Sequence, residues 1–199
     1  MNLNCLLAGV GGQGTVLASK IIAQTAINQA YPAHTSETIG MAQRGGSVVS
    51  HVRLGQESCS PAIPKGQAEV VIGFEPAEAV RNISYLHNEG TVLLNANPIM
   101  PVTASLGVGA YEVEKIIAFA KQQAKKVIVI DGNALCKKAG SAKVLNVIML
   151  GVAIKAQLLP FTKADIIKTL EENLPPRFLE LNRKAFDIGY SYDVRECAK

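Results

Sequence analysis

The chain has 199 residues, of which 48% are hydrophobic, so it fits one domain with a packed core and excludes an intrinsically disordered protein. Its net charge is +4, but the lysines and arginines are spread along the chain, and no basic stripe alternates with aromatic residues. We therefore expect one domain over residues 1–199 with a flexible tail from about residue 194, and we do not expect nucleic acid as a partner.

Strands and helices alternate from the first residues onward. An apolar run over residues 3–10 predicts a buried strand, and apolar residues at helical spacing predict a helix over 15–30. A short strand over 33–37 and an alternating strand over 48–54 follow. A buried strand over 69–74 leads into a helix that begins at Pro76 and runs to about residue 87.

The second half continues the alternation. Strands are predicted over 91–95 and 127–131, and helices over 111–125, 142–158, 163–173 and 178–190. This order is typical of a three-layer, Rossmann-like α/β fold with a mostly parallel sheet and helices on both faces. Residues 47–64 contain no crossover helix, so we expect the antiparallel part of the sheet there.

Cysteine spacing and hydropathy bear on the compartment. The four cysteines are Cys5, Cys59, Cys136 and Cys197. None forms a CxxC pair, so neither a zinc site, an iron–sulfur cluster nor a disulfide framework is expected, which favours a reducing compartment. No basic segment precedes an apolar one at the N-terminus, and polar residues interrupt the most apolar stretch, residues 144–159. We expect a cytoplasmic protein that neither crosses nor binds a membrane.

A glycine-rich turn follows the first predicted strand and opens the first predicted helix. The spacing GxGxxG allows a sharp turn, a close approach of the backbone to a phosphate and close packing of helix on strand. Free N–H groups at the helix start favour an anion. The candidate anion-binding residues are Gly9, Gly11, Gly12, Gln13, Gly14 and Thr15. The alternative is that these glycines serve only packing.

A dinucleotide site also needs an acidic residue about 20 residues further on, at the end of the second strand. Glu37 is the candidate, although small polar residues surround it. A free-standing NAD(P)- or flavin-binding oxidoreductase is therefore an alternative function, and a scaffold module without catalysis is another.

A polar, glycine-rich segment spans residues 36–47 and lies at the carboxyl edge of the sheet if residues 33–37 form a strand. Ligands of open α/β sheets bind at that edge, and the guanidinium of Arg44 is suited to a phosphate, a carboxylate or a partner chain. The candidate partner or substrate residues are Glu37, Gln43, Arg44, Gly45, Gly46 and Ser47.

Other polar residues have simpler explanations. His51 lies in an alternating strand without a companion at metal-ligand spacing, and Asp131 fits a helix cap as well as a ligand contact. Glu75 and Glu78, on either side of Pro76, are typical of the first turn of a helix. No catalytic triad, paired carboxylates or metal motif is present, so the sequence assigns no catalytic residue and no metal ligand.

The turn and the Arg44 segment together resemble the γ-type domain of the 2-oxoacid:ferredoxin oxidoreductases, and within it most closely the small β subunit of the indolepyruvate enzymes. The resemblance rests on GVGGQG at residues 9–14 and GMAQRGGSVVSHVR at residues 40–53, and it extends through IGFEP at 72–76, Asn95, Asn146 and Gly151. It covers most of the chain and weakens after about residue 175.

The resemblance implies a subunit that is inactive alone. Such complexes convert a 2-oxoacid and coenzyme A to acyl-coenzyme A and carbon dioxide, and pass electrons to ferredoxin. It implies a large partner subunit that carries thiamine diphosphate, magnesium and [4Fe-4S] clusters, while this chain binds none of these cofactors. It further implies that the Arg44 segment faces that partner. An apolar surface that docks a partner can pair with a second copy when the partner is absent, so a homodimer of the isolated chain is a further expectation.

Overall fold

The computed structural model describes residues 2–40, 45–55, 60–100 and 111–194. Within these ranges the strands are β1 (Leu3–Val10), β2 (Ala33–Ile39), β3 (Ser47–Leu54), β4 (Ala68–Gly73), β5 (Leu86–Asn95) and β6 (Lys126–Ile130). The helices are α1 (Thr15–Asn28), α2 (Pro76–Arg81), α3 (Val113–Gln123), α4 (Gly132–Ala139), α5 (Leu145–Lys155), α6 (Lys163–Asn173) and α7 (Pro176–Tyr190). Short 3-10 turns occupy Ile83–Tyr85 and Ala142–Val144.

All six strands belong to one sheet, in the order β2-β3-β1-β4-β5-β6. The pairs β1–β4, β4–β5 and β5–β6 are parallel, whereas β3 runs antiparallel to both of its neighbours, β1 and β2. The predicted α/β fold with a mostly parallel sheet is confirmed, and β3 is the antiparallel element expected in residues 47–64. Because β3 lies between β2 and β1, these two strands are not neighbours in the sheet.

The sheet separates two hydrophobic cores of unequal size. Because successive side chains of a strand point to opposite faces, Cys5 and Leu7 of β1 enter one core and Leu6 and Ala8 enter the other. The larger core lies under α1, α4, α5, α6 and α7, and the smaller lies under α2 and α3. Helices on both faces explain why β1 is apolar and buried from Cys5 to Val10.

Two predicted boundaries are wrong. The helix that begins at Pro76 ends at Arg81, not near residue 87, and β5 begins at Leu86, five residues before the predicted start at residue 91. Leu86 is buried in the smaller core and pairs with Ala68, so tertiary packing draws this segment into the sheet. None of the helices in the described ranges is long and apolar enough to cross a membrane.

Candidate functional site

The glycine turn joins the carboxyl end of β1 to the start of α1, as predicted. A Cβ atom at Gly9 would lie 2.8 Å from Gln13 Oε1 and 2.9 Å from Phe74 Cβ. Gly14 has a φ of +79°, and a Cβ there would lie 2.7 Å from Asn146 Nδ2. These two glycines are therefore needed for close packing, whatever the turn binds.

Gln13 and Asn95 link the carboxyl ends of three strands. The Val10 N–H donates to Gln13 Oε1, and Gln13 Nε2 donates to the Phe74 carbonyl, both at 2.9 Å. Asn95 Nδ2 donates to the same carbonyl at 2.9 Å, and Asn95 Oδ1 accepts from the Gly132 N–H at 3.0 Å. Both atoms of the Gln13 amide are thus engaged within the protein, and its visible role is to hold the turn.

The start of α1 is suited to an anion. The helix has no side-chain cap and no acidic residue in its first turn, so the positive end of its dipole is not neutralised locally. An open pocket of about 340 Å³ lies there; its lining residues are Val10, Gly11, Gly12, Gly14, Thr15, Val16 and Val48. Gly12, at φ +100°, has no atom within 4 Å of an added Cβ, so the turn is open on that side.

Not every group of the turn faces this pocket. The Gly11 N–H donates to the Gly46 carbonyl at 2.8 Å, and the Gln13 N–H donates to the Val10 carbonyl at 3.2 Å. The hydroxyl of Thr15 is buried and lies 3.0 Å from an added Cβ at Gly9, so it faces the strand. Any anion would therefore meet the remaining N–H groups of the turn and the first turn of α1.

The second predicted feature lies directly beside the first. Arg44 and Gln43 fall outside the described residues, but Gly45, Gly46 and Ser47 are described. The Gly46 carbonyl accepts from the glycine turn, and the Ser47 carbonyl accepts from the Gly40 N–H at 2.8 Å, which closes the base of the segment. The structure thus brings the two features that carry the family resemblance into contact.

Two buried carboxylates flank this junction. Glu75 is 2% exposed and caps α2 by accepting the Glu78 N–H at 2.9 Å, and it also accepts the hydroxyl of Tyr111. Glu78 is 3% exposed and accepts the hydroxyl of Ser47 at 2.6 Å and a guanidinium N–H of Arg81. Burial, together with the bond to Glu75, raises the pKa of Tyr111. The sequence predicts both glutamates in a first helical turn, which is correct for Glu78, whereas Glu75 is the capping residue just before the helix. No sequence pattern indicates that both are buried.

Glu37 lies away from the position that a dinucleotide site requires. Its strand, β2, is separated from β1 by β3, so it is displaced from β1 by two strand spacings, about 9.5 Å. Its carboxylate instead lies 3.3 Å from the hydroxyl of Ser19 on α1. The acidic residue of the dinucleotide fingerprint is therefore not next to the glycine turn.

The remaining polar candidates have local structural roles. Asp131 caps α4 by accepting the Ala134 N–H at 3.0 Å. His51 is buried and accepts the Ile63 N–H at 3.2 Å. Cys5 is also buried, and its own burial raises the pKa of its thiol. Among the residues that the structure describes, no three histidine, cysteine or acidic side chains are grouped so that they could hold a metal ion.

Comparison with known proteins adds the family. The model of the family described as pyruvate ferredoxin/flavodoxin oxidoreductase matches residues 4–192. The indolepyruvate oxidoreductase subunit IorB of Archaeoglobus fulgidus is 38% identical over 195 residues, which cover 98% of this chain and 96% of that protein. The match therefore includes both the glycine turn and the Arg44 segment.

Solved structures share the fold. The γ subunit of a keto/oxoacid ferredoxin oxidoreductase from Geobacter sulfurreducens aligns with a TM-score of 0.68 and 23% identity, over 100% of this chain and 99% of that one. The 2-oxoglutarate:ferredoxin oxidoreductase from Magnetococcus marinus, solved with 2-oxoglutarate, coenzyme A and succinyl-CoA bound, aligns with a TM-score of 0.72 and 17% identity. That alignment covers 96% of this chain and 30% of the other, so the same fold also occurs as one part of a longer chain.

Proposed function

Because the chain belongs to the pyruvate ferredoxin/flavodoxin oxidoreductase family, we propose that it is the small subunit of a thiamine-diphosphate-dependent 2-oxoacid:ferredoxin oxidoreductase. Its complex converts an aryl pyruvate such as indolepyruvate, together with coenzyme A, to an acyl-coenzyme A and carbon dioxide, and passes electrons to ferredoxin. The observation that carries this proposal is the 38% identity to an indolepyruvate oxidoreductase subunit along nearly the whole chain.

The catalytic cofactors belong to a large partner subunit in this proposal. Thiamine diphosphate with magnesium forms the reactive centre there, and [4Fe-4S] clusters carry electrons one at a time towards ferredoxin. The assembly works in the cytoplasm.

The small subunit contributes the carboxyl edge of its sheet. We assign a phosphate group of coenzyme A to the pocket at the start of α1, where the uncapped helix end favours an anion. The coenzyme A bound to the Magnetococcus enzyme, which shares this fold, supports a coenzyme A site in such complexes. We assign the Arg44 segment to the contact with the large subunit. Its described end, Gly45 to Ser47, adjoins the same turn.

Reconstitution tests this function. We expect neither this chain nor its large partner alone to reduce ferredoxin with indolepyruvate and coenzyme A, whereas the co-purified complex does so. The change Arg44→Ala is expected to weaken assembly or raise a KM, while Lys121→Ala, at an exposed position of α3, serves as its control.

The alternative function makes the opposite prediction. A free-standing NAD(P)- or flavin-binding oxidoreductase would bind NADH, NADPH or FMN as an isolated chain, which titration calorimetry measures directly. Tight binding of one of these nucleotides, or a reconstituted complex without activity on any aryl pyruvate, would contradict the proposed function. Unchanged assembly and unchanged kcat and KM in Arg44→Ala would remove the role of that segment.

A further inference from the structure

We propose that Glu78 and Ser47 are positioning residues for the glycine turn, and that they act on it through Gly46 rather than by touching a ligand. The inference rests on the proposed function only for the ligand, a phosphate group of coenzyme A. Neither residue lines the pocket at the start of α1.

Glu78 is buried where α2 packs against β4. Helix α2 packs unusually close to β4, since a Cβ at Gly73 would lie 2.5 Å from the Cβ of Ala79. This contact presses the first turn of α2 against the sheet and leaves Glu78 3% exposed. A buried carboxylate is destabilising unless its oxygens accept hydrogen bonds, so the partners of Glu78 matter for the local geometry.

Two side chains donate hydrogen bonds to the Glu78 carboxylate. Each carboxylate oxygen of Glu78 has its own donor: Oε1 accepts from Arg81, whose side chain is 62% exposed, and Oε2 accepts from the Ser47 hydroxyl at 2.6 Å. The bond to Arg81 stays within α2. The bond to Ser47 instead joins α2 to the first residue of β3, 31 positions earlier in the chain.

The backbone next to Ser47 contacts the glycine turn. The Ser47 backbone carbonyl accepts the Gly40 N–H, and the neighbouring Gly46 carbonyl accepts the Gly11 N–H, both at 2.8 Å. Fixing the Ser47 side chain therefore fixes the peptide that directs the Gly46 carbonyl at Gly11. A continuous path of contacts thus runs from the buried Glu78 carboxylate through Ser47 and Gly46 to the glycine turn.

The consequence is that the turn is held in place from outside. Gly11 and Gly12 have no side chains of their own to restrain them, and glycine has the largest backbone freedom of any residue. A preorganised set of N–H groups binds an anion more tightly than one that must be ordered on binding. Loss of the Ser47 hydroxyl should therefore weaken the binding of coenzyme A without altering the chemical step.

Amide hydrogen exchange of Gly11, measured by NMR on the isolated full chain, tests the coupling without any activity assay. Ser47→Ala and Glu78→Gln are expected to speed this exchange about tenfold, the size expected when one hydrogen bond is lost. Ser47→Thr keeps the hydroxyl and should restore the slow exchange. The matched controls are Ser84→Ala and Glu89→Gln, at exposed positions.

The same variants in the reconstituted complex test the consequence for the ligand. We expect KM for coenzyme A to rise about tenfold in Ser47→Ala, with kcat and KM for indolepyruvate within about twofold of the parent.

Unchanged Gly11 exchange together with an unchanged KM for coenzyme A would overturn the inference. If the unmodified complex proves independent of coenzyme A while Gly11 exchange still responds, the coupling stands and the proposed ligand fails. Because Ser47 is exposed, its variants are expected to fold even if Glu78→Gln does not.

Discussion

The glycines of the turn differ in what they do. Gly9 and Gly14 leave room for neighbouring side chains, whereas Gly12 faces open space. The turn therefore combines motif glycines that packing requires, Gly9 and Gly14, with a further glycine, Gly12, whose surroundings are open. This division explains why the motif fits a subunit that need not bind a dinucleotide.

Alanine substitutions should separate the two kinds of glycine. At Gly14, alanine combines a left-handed backbone, φ +79°, with a collision against the buried side chain of Asn146, so we expect a loss of about 3 kcal/mol in the free energy of unfolding. At Gly12, alanine meets no atom, and only the backbone cost of about 1 kcal/mol is expected. Urea denaturation of both variants measures the difference, and equal losses would contradict this assignment.

The roles of single polar residues were the least predictable part of the site. The sequence predicts Gln13 in the glycine turn, Glu37 at the end of the second strand and Glu78 in the first turn of a helix. The structure agrees for Gln13 and Glu78, and it extends the second strand two residues past Glu37. Their long-range hydrogen-bond partners, at Phe74, Ser19 and Ser47, lie 18 to 61 positions away in sequence, so no local pattern encodes these three contacts. The sequence predicts roughly where these side chains lie, and the fold determines which of their polar groups already form hydrogen bonds within the protein.

At the scale of elements, segments with a clear apolar or amphipathic pattern were predicted well because the pattern alone identifies them. The strands at β1, β4 and β6 and the helices α1 and α6 fall close to their predicted positions. The errors lie at α2 and β5, where packing of Leu86 on the smaller core decides the boundary. The position of β3 between β2 and β1 depends on pairing between distant segments and cannot be read from hydropathy.

The crossing of α5 and α7 depends on two glycines. A Cβ at Gly151 would lie 2.4 Å from the Phe186 carbonyl oxygen, and one at Gly189 would lie 2.1 Å from the Ile148 carbonyl oxygen. Alanine gains about 1 kcal/mol in helix propensity over glycine, but a collision with backbone forces the two helices apart. We therefore expect Gly151→Ala and Gly189→Ala each to lower the free energy of unfolding by about 3 kcal/mol.

Urea denaturation checks this prediction, with Glu180→Ala at an exposed position of α7 as the control. Because α5 contributes to the larger core, a loss of packing should also reduce near-ultraviolet circular dichroism of the tyrosines and phenylalanines. Stabilisation of either glycine variant would show that helix propensity outweighs the close contact.

For the whole molecule, the two faces of the sheet contribute different things to the site. The larger core supplies α1 and α5, which meet at Gly14 and Asn146, while the thinner face supplies α2 with its buried carboxylates. The glycine turn lies where these contributions meet, at the carboxyl edge. We propose that this edge is the part of the chain that faces the large subunit.

We expect the pH dependence of stability to involve His51. This residue is buried, accepts the Ile63 N–H at its Nδ1 atom and packs edge-on against Tyr85, and burial lowers its pKa from the usual 6.5. The fold therefore favours the neutral ring, while the unfolded chain takes up a proton as the pH falls below about 6.5. The stability contributed by His51 is complete above that pH and is lost as the pH falls towards and through the lower pKa of the folded state, with a slope of up to about 1.4 kcal/mol per pH unit.

Unfolding free energies at pH 7.5 and 5.5 should differ less in His51→Asn, which lacks the titrating ring, than in the parent. The control is His34→Gln, at an exposed position of β2. An identical pH dependence in His51→Asn and the parent would show that other groups control the acid response of the fold.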